Sequence, residues 1–583
     1  MDTTNKTQGG LDFRNTNSLW CSVLVETLAR VGVNQAVISP GSRSTPLTFA
    51  LARHPGFETI PVLDERSAAF FALGLAKQNR RPVILVCTSG TAGANYFPAV
   101  IEAQESHVPL IVITADRPPE MRECASGQTI DQLRLFGNHV NWFHELAVPE
   151  PSLPLLRYLR QTVAHAVERA QLPHGGPVHL NAPFRDPLVP TPDSSAKPLE
   201  ALIDTSFFDH LQSPTPAPLG TVLWQRPTTT RGLIVAGADL APDPGAYAAS
   251  VLRLASALGW PVLADALSPL RHYAPPGGAV IAGYDAILRS ARLARDLAPR
   301  TVLCLGGWPT SKVLRAWLEQ SGAEIALVSP YSANRDALHG RTRHIVARAE
   351  QLAAEADSPK DHSYLDLWRA AERKVQATFD AALATDERIE PRATRELASL
   401  LPAGTPVFIA SSMPVRDVEY FWPVSAGGVH LFFNRGANGI DGTLSTAFGV
   451  AHGGRPAVLL TGDLALLHDT NGFLHKTKFR GSLTIVLINN RGGGIFQHLP
   501  VAQFDPPFEE FFATPQEVDF RKLSAAYGVE YLECESWIQF RAAIQALPAS
   551  GVRVLELKTD RKRDAAFRKN LFAKAAAAAE SES

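Results

Sequence analysis

Asp463 and Asn490 each stand just past an apolar run, Val458-Leu459-Leu460 and Leu483 to Ile488, with room between them for a helical crossover. Strands joined that way run parallel. Both side chains then reach the carboxyl edge of one sheet, where α/β folds bind ligands. A carboxylate and an amide oxygen suit a magnesium-type cation, which takes few protein oxygens and keeps its other positions for water and phosphate. Gly462 and Leu464 flank the carboxylate, and the run Gly492-Gly493-Gly494 follows the amide. Gly492 is placed to offer a backbone carbonyl, because glycine lets the chain approach a ligand closely. The start of the intervening helix, expected near His468 to Asn471, favours phosphate groups. The competing reading makes Asp463 a turn or cap residue and Asn489-Asn490 a strand-ending turn.

A second acid, Glu65, lies in Leu63-Asp64-Glu65-Arg66, between an apolar run and a helix expected over Ala68 to Lys77. It reads either as a tuned proton donor or as a helix-start acid favoured by the dipole. The elements that must position these residues alternate apolar runs with helical stretches, the pattern of parallel α/β layering. Strand candidates include Ala36-Val37-Ile38, Val83 to Val86, Leu110 to Ile113, Leu233-Ile234-Val235, Val302 to Leu305 and Val407-Phe408-Ile409.

The fold class expected is α/β with three doubly wound parallel-sheet domains. Their boundaries read as 1–190, a Pro-rich linker over 191–230, a central domain over 231–355, a helical connector over 356–390, a third domain over 391–562, and a tail over 563–583. The tail's alanine run, Ala575 to Ala579, and the residues after it are expected to be disordered. The first and third domains carry a weak repeat. Arg81-Pro82, a strand, Thr88-Ser89-Gly90 and Arg117 parallel Arg455-Pro456, a strand, Thr461-Gly462-Asp463 and Arg491, with equal separation of the outer arginines. Upstream, Ala72-Leu73-Gly74-Leu75-Ala76 parallels Ala447-Phe448-Gly449-Val450-Ala451.

Composition limits the partners. The 583 residues are 45% hydrophobic and 19% charged with a formal net charge of -1, so no nucleic-acid partner is expected. No apolar run nears the roughly 20 residues that span a bilayer, and Met1 to Gly10 lack a signal pattern. No membrane association and a cytoplasmic location follow as expectations, in keeping with five scattered cysteines. Gly306-Gly307 before Lys312 lacks a P-loop ending. Val235-Ala236-Gly237-Ala238-Asp239 lacks the later glycine of a dinucleotide fingerprint. The histidines show no metal spacing.

The Gly-Asp and Asn-Asn pair resembles the signature of thiamine-diphosphate enzymes, with Leu464 where the generic form has glycine. Further segments resemble one branch of that family, the carboligases of menaquinone biosynthesis. They are Ser39 to Leu47, Thr114 to Pro119, Asn434 to Gly442 and Asn490 to Phe496. The resemblance covers about residues 15 to 570. It implies thiamine diphosphate and Mg2+, with Mn2+ as an alternative ion. It implies decarboxylation of 2-oxoglutarate and addition of the succinyl carbanion to isochorismate. An acetolactate-synthase-like enzyme or another 2-oxo acid decarboxylase is the alternative.

The resemblance also implies roles. Glu65 is the acid facing the cofactor's aminopyrimidine. Gly462, Asp463, Leu464, Asn490 and Gly492 hold the diphosphate, with Asp463, Asn490 and Gly492 on the metal. Ile440 sits beneath the bent cofactor, and Ile495 and Phe496 line its pocket; for these three, ordinary core packing is the alternative. Both substrates carry carboxylates, which arginine's planar fork suits. The implied readers are Ser42, Arg43, Arg117, Gln128, Ser412, Arg416 and Arg435, with Lys312 from the central domain. Two departures bear on this set: Val313 follows Lys312 where some members have arginine, and Gly127 replaces an asparagine before Gln128. The active site is implied to lie between subunits of a homodimer or homotetramer.

Overall fold

The computed structural model describes residues 10–215, 220–224, 229–340, 342–354 and 361–581. They fall into two compact units. One comprises Met1–Ala217, Asn434–Gly453 and His468–Arg480; the other comprises Pro218–Phe433, Gly454–Leu467 and Gly481–Ser583.

The first unit is built on a six-stranded sheet of β1 (Gln35–Ile38), β2 (Glu58–Pro61), β3 (Val83–Cys87), β4 (Leu110–Asp116), β5 (Trp142–Glu145) and β6 (Pro177–Pro183). Its order is β2-β1-β3-β4-β6-β5, and every pairing is parallel. β3, β4 and β6 are buried along their whole length, which is why Val83 to Val86 and Leu110 to Ile113 read as unbroken apolar runs rather than alternating ones. The helix Glu65–Asn79 covers this sheet and packs on the helix Thr443–Ala451. The two glycines of the sequence repeat meet at that crossing. A Cβ on Gly74 would lie 2.1 Å from the Thr446 carbonyl oxygen, and one on Gly449 would lie 2.1 Å from that of Phe71. The upstream segments of the repeat, residues 72–76 and 447–451, are thus packing partners.

Two expectations need correcting. The Pro-rich stretch after residue 190 is partly core: Ala196, Leu199, Ile203, Phe207 and Phe208 are buried with the helix Thr16–Arg30. Short turns at Lys197–Leu199 and Thr205–Phe208 give these apolar residues a packed face despite the prolines. The alanine run of the tail is ordered too. It lies in the helix Arg561–Glu580, with Leu571, Phe572, Ala575 and Ala579 buried against the helix Ser363–Leu383 and its neighbours. Alanine is the best helix former, and its small side chain suits close helix packing. Residues 582–583 lie outside the described residues.

The second unit holds two more six-stranded sheets and a small one of β7 (Val222–Trp224) with β14 (Leu352–Ala354). Its first large sheet contains β8 (Gly232–Ala236), β9 (Val262–Ala264), β10 (Val280–Ile281), β11 (Thr301–Leu305), β12 (Glu324–Ser329) and β13 (Thr342–Val346), in the order β10-β9-β8-β11-β12-β13. The other contains β15 (Pro406–Ile409), β16 (His430–Phe433), β17 (Ala457–Gly462), β18 (Ser482–Asn489), β19 (Glu530–Glu533) and β20 (Gly551–Lys558), in the order β16-β15-β17-β18-β20-β19. All their pairings are parallel. The fold is α/β with three six-stranded parallel sheets, as the sequence pattern implies. Among the described residues no helix is long and apolar enough to cross a membrane.

Buried neutral histidines make the first unit acid-sensitive. His475 stacks on Phe71 at 4.6 Å between ring centroids, and burial pulls its pKa down to about 3. An unfolded histidine takes a proton near pH 6.5. Between those values the unfolded chain binds the extra proton, so stability falls as pH falls. His475→Leu should flatten the pH dependence of unfolding by about 1.4 kcal/mol per pH unit between pH 6 and 5. Urea midpoints of both proteins across that range check this; parallel slopes would contradict it.

Candidate functional site

In the second unit, β17 delivers Asp463 and β18 delivers Asn490 to the same carboxyl edge, with the two strands paired in register. The helix after β17 begins at Asp463 itself and runs only to His468, followed by a 3-10 turn over Thr470–Thr477. The start expected near His468 to Asn471 is therefore misplaced: the chain turns directly out of β17, and Asp463 accepts the Leu464 N–H at 2.8 Å. Its other oxygen accepts the Gly492 N–H at 2.8 Å. Asp463 is 5% exposed. Burial pushes its carboxyl up to about 6, and the backbone N–H groups of Gly492 and Leu464 hold it back from going higher.

Asn490 is buried, and its Nδ2 donates to Glu390 at 2.6 Å. Its Oδ1 is buried without a hydrogen-bond partner. An orphaned buried oxygen is costly unless something occupies it. Gly492 has φ 128, and a Cβ there would lie 2.3 Å from the Ala513 carbonyl oxygen, so only glycine fits. Its carbonyl accepts the Gly494 N–H at 2.9 Å and retains a second lone pair. A buried carboxylate, an unpartnered amide oxygen and a backbone carbonyl are hard oxygen donors, and they fit a Mg2+-type ion. Among the described residues no group of three His, Cys, Asp or Glu could hold a metal. Gly462 ends β17, and Leu464 follows Asp463, half-buried. Ile495 and Phe496 lie on the turn Gly494–His498, where Phe496 meets Phe512 edge-on at 5.9 Å.

The same unit carries Ser412, Arg416 and Lys312. Ser412 follows β15 at φ 73, a strained conformation for a residue with a side chain. Strain of that kind gathers at functional sites. Its carbonyl accepts from Arg416 at 2.6 Å, and burial lowers the Arg416 pKa. Lys312 opens the helix Lys312–Ser321 beyond β11 and is exposed.

The first unit gathers a different set at the carboxyl ends of β3 and β4. Arg43 is 7% exposed and donates to the Phe184 carbonyl at 2.9 Å, while its Nε has no partner. Arg117 donates to Ser89 Oγ at 3.1 Å and to the Gly127 carbonyl at 2.9 Å. Gln128, at φ 56, donates to the Ser89 carbonyl at 3.0 Å. Burial, and then the charge of Arg117, lower the Arg43 pKa. Asp186, 3.8 Å from Arg43 Nη1, and Asp116 offset part of the positive field that the two guanidiniums set up. Ser42 stands beside them, exposed.

Glu65 is the first residue of its helix and is half-buried. Asp64, not Glu65, caps that helix by accepting the Ser67 N–H at 3.0 Å. The charge of Glu65 adds to burial in raising the pKa values of Cys87 and Tyr96.

Arg435 and Ile440 lie on the loop after Asn434. A buried pair that escaped the sequence analysis fixes it. Lys77 and Glu102 approach to 3.5 Å with almost no exposure. Lys77 donates to Asn434 Oδ1 at 2.6 Å, and Glu102 accepts the N–H groups of Gly436 and Ala437 at 3.0 and 2.7 Å. Glu390 also escaped it. A Glu-Pro pair opening a helix is the only local sign, and many surface helices start that way.

Three family profiles match in order: "Thiamine pyrophosphate enzyme, N-terminal TPP binding domain" over residues 21–135, "Middle domain of thiamine pyrophosphate" over 206–409, and "Thiamine pyrophosphate enzyme, C-terminal TPP binding domain" over 418–557. A 2-succinyl-5-enolpyruvyl-6-hydroxy-3-cyclohexene-1-carboxylate synthase of Trichodesmium erythraeum is 50% identical over 571 residues, covering 96% of this chain and 98% of its own. Synthases of the same name from Microcystis aeruginosa and a Synechococcus strain are each 52% identical, covering 94% and 96% of this chain and 98% and 97% of theirs.

Proposed function

Because the chain belongs to the thiamine-diphosphate enzymes, and within them to the 2-succinyl-5-enolpyruvyl-6-hydroxy-3-cyclohexene-1-carboxylate synthases, we propose that it decarboxylates 2-oxoglutarate and joins the four-carbon product to isochorismate. The reaction is a transferase reaction of menaquinone biosynthesis and releases CO2. Bound thiamine diphosphate supplies the carbon nucleophile and electron sink that the loss of CO2 requires.

The protein's own residues bind, orient and move protons. Asp463, Asn490 and Gly492 hold Mg2+, or Mn2+ in its place, against the diphosphate, beside Gly462 and Leu464. Ile440, Ile495 and Phe496 pack on the cofactor. Glu65 hydrogen-bonds the aminopyrimidine and sets its protonation. Ser42, Arg43, Arg117, Gln128, Arg435, Ser412, Arg416 and Lys312 read the substrates' carboxylates. Glu65 and the Asp463 cage come from different subunits of a homodimer or of a homotetramer built from it, in the cytoplasm. The observation that carries this reading is the pair formed by the unpartnered buried oxygen of Asn490 and the buried Asp463 carboxylate, which follow the carboxyl ends of adjacent strands, in a chain about half identical to the named synthases along almost its whole length.

Mass analysis of the product formed with thiamine diphosphate, Mg2+, 2-oxoglutarate and isochorismate tests it. 2-Oxoglutarate should exceed pyruvate in kcat/KM by about 100-fold or more, because pyruvate leaves a guanidinium site unpaired. Equal use of pyruvate would favour an acetolactate-synthase-like enzyme.

A further inference from the structure

The amide of Asn490 has a defined orientation, and its cause is Glu390. A carboxylate only accepts hydrogen bonds. With Glu390 Oε1 at 2.6 Å, the NH2 side of the amide must face Glu390 and the oxygen must face the other way. That oxygen is the buried atom without a partner. Glu390 is itself 3% exposed and held on several sides. Its other oxygen accepts from Arg568, which is 2% exposed. Its backbone N–H donates to Asp564 at 3.2 Å, and Thr559 reaches Oε1 at 3.4 Å. Arg568 is fixed in turn by Asp417, through Nε at 2.7 Å and Nη2 at 2.5 Å.

We propose that Glu390, locked by Arg568, is a positioning residue that turns the Asn490 carboxamide so that its oxygen faces the divalent cation. This rests on the cation site proposed above and names the residue that fixes one of its ligands. Outer partners of metal ligands act in this way, and their loss costs about 10- to 100-fold in metal affinity.

The isosteric Glu390→Gln variant separates this role from simple packing. Glutamine has one accepting oxygen, and the charged Arg568 donor claims it. The NH2 then faces Asn490 and draws the amide oxygen toward itself, which places NH2 where the cation should bind. Packing is unchanged, yet metal binding should weaken. The measurement is Mn2+ affinity by electron paramagnetic resonance in the presence of thiamine diphosphate, with far-UV circular dichroism of the metal-free proteins to confirm folding. Glu390→Gln and Glu390→Ala should both weaken Mn2+ by about 10- to 100-fold. A Glu390→Gln protein that binds Mn2+ like the wild type overturns the positioning role. Asp463→Ala is the control that separates the two readings. If it binds Mn2+ like the wild type, the cation site itself is wrong. If it loses Mn2+ while both Glu390 variants keep it, only the role of Glu390 falls.

Discussion

Glu65→Gln is expected to fold, to bind thiamine diphosphate and Mg2+, and to turn over about a hundred- to ten-thousand-fold more slowly than the wild type, the range spanned by a positioned acid or base. The fold should be spared because Asp64 already caps the helix Glu65–Asn79 through the Ser67 N–H. What Glu65 gives the helix as an N-terminal acid amounts to about 0.3–1 kcal/mol. The helix-dipole reading thus makes its own prediction: a small loss of stability and no loss of turnover. CO2 release from 2-oxoglutarate at saturating cofactor, with a binding isotherm for the cofactor, decides between them. Full turnover by the glutamine variant would remove Glu65 from the chemistry.

Asp463→Ala should weaken the cation by about 2–5 kcal/mol, roughly 30- to 5,000-fold, the scale set by truncating a buried charged partner. Thermal melts give a direct measure. In the wild type, cofactor plus Mg2+ at about 100 times the dissociation constant should stabilise by about 2.7 kcal/mol. The alanine variant should gain almost nothing from the same additions. Each protein is compared with its own metal-free form, so the cost of leaving the Gly492 and Leu464 N–H groups without their acceptor cancels. An equal gain in both proteins would sink the role of Asp463.

Much of this was legible in the chain. Asp463 and Asn490 could be placed on one sheet edge because parallel crossovers have one handedness and strand ends are marked by polar and glycine residues. The sheet strands showed as apolar runs because they are covered on both faces. The start of the helix after β17 was misread because the strand ends at Gly462 and the helix begins at the very next residue, Asp463, with no loop between them. Glu390, Asp417 and Arg568 were invisible for a different reason. Each is a charged residue on a helix, and such residues usually face water. Only tertiary packing distinguishes a buried ion cluster from a solvated face. Lys77 and Glu102 were hidden in the same way. The alanine run misled because low complexity resembles disorder, whereas here it is the apolar face of a packed helix.

The position of Arg568 in the chain has a consequence for biosynthesis. It lies 178 residues after Glu390 and 151 after Asp417. At about 5–20 residues per second, a ribosome that has made Glu390 needs roughly 10 to 35 seconds more to reach its counter-ion. Once Asp417 has been made, the nascent chain carries two carboxylates destined for the interior before it has the guanidinium that pairs with both of them in the folded protein. The cradle for the ion therefore closes late in translation, after both of its large sheets have been synthesised.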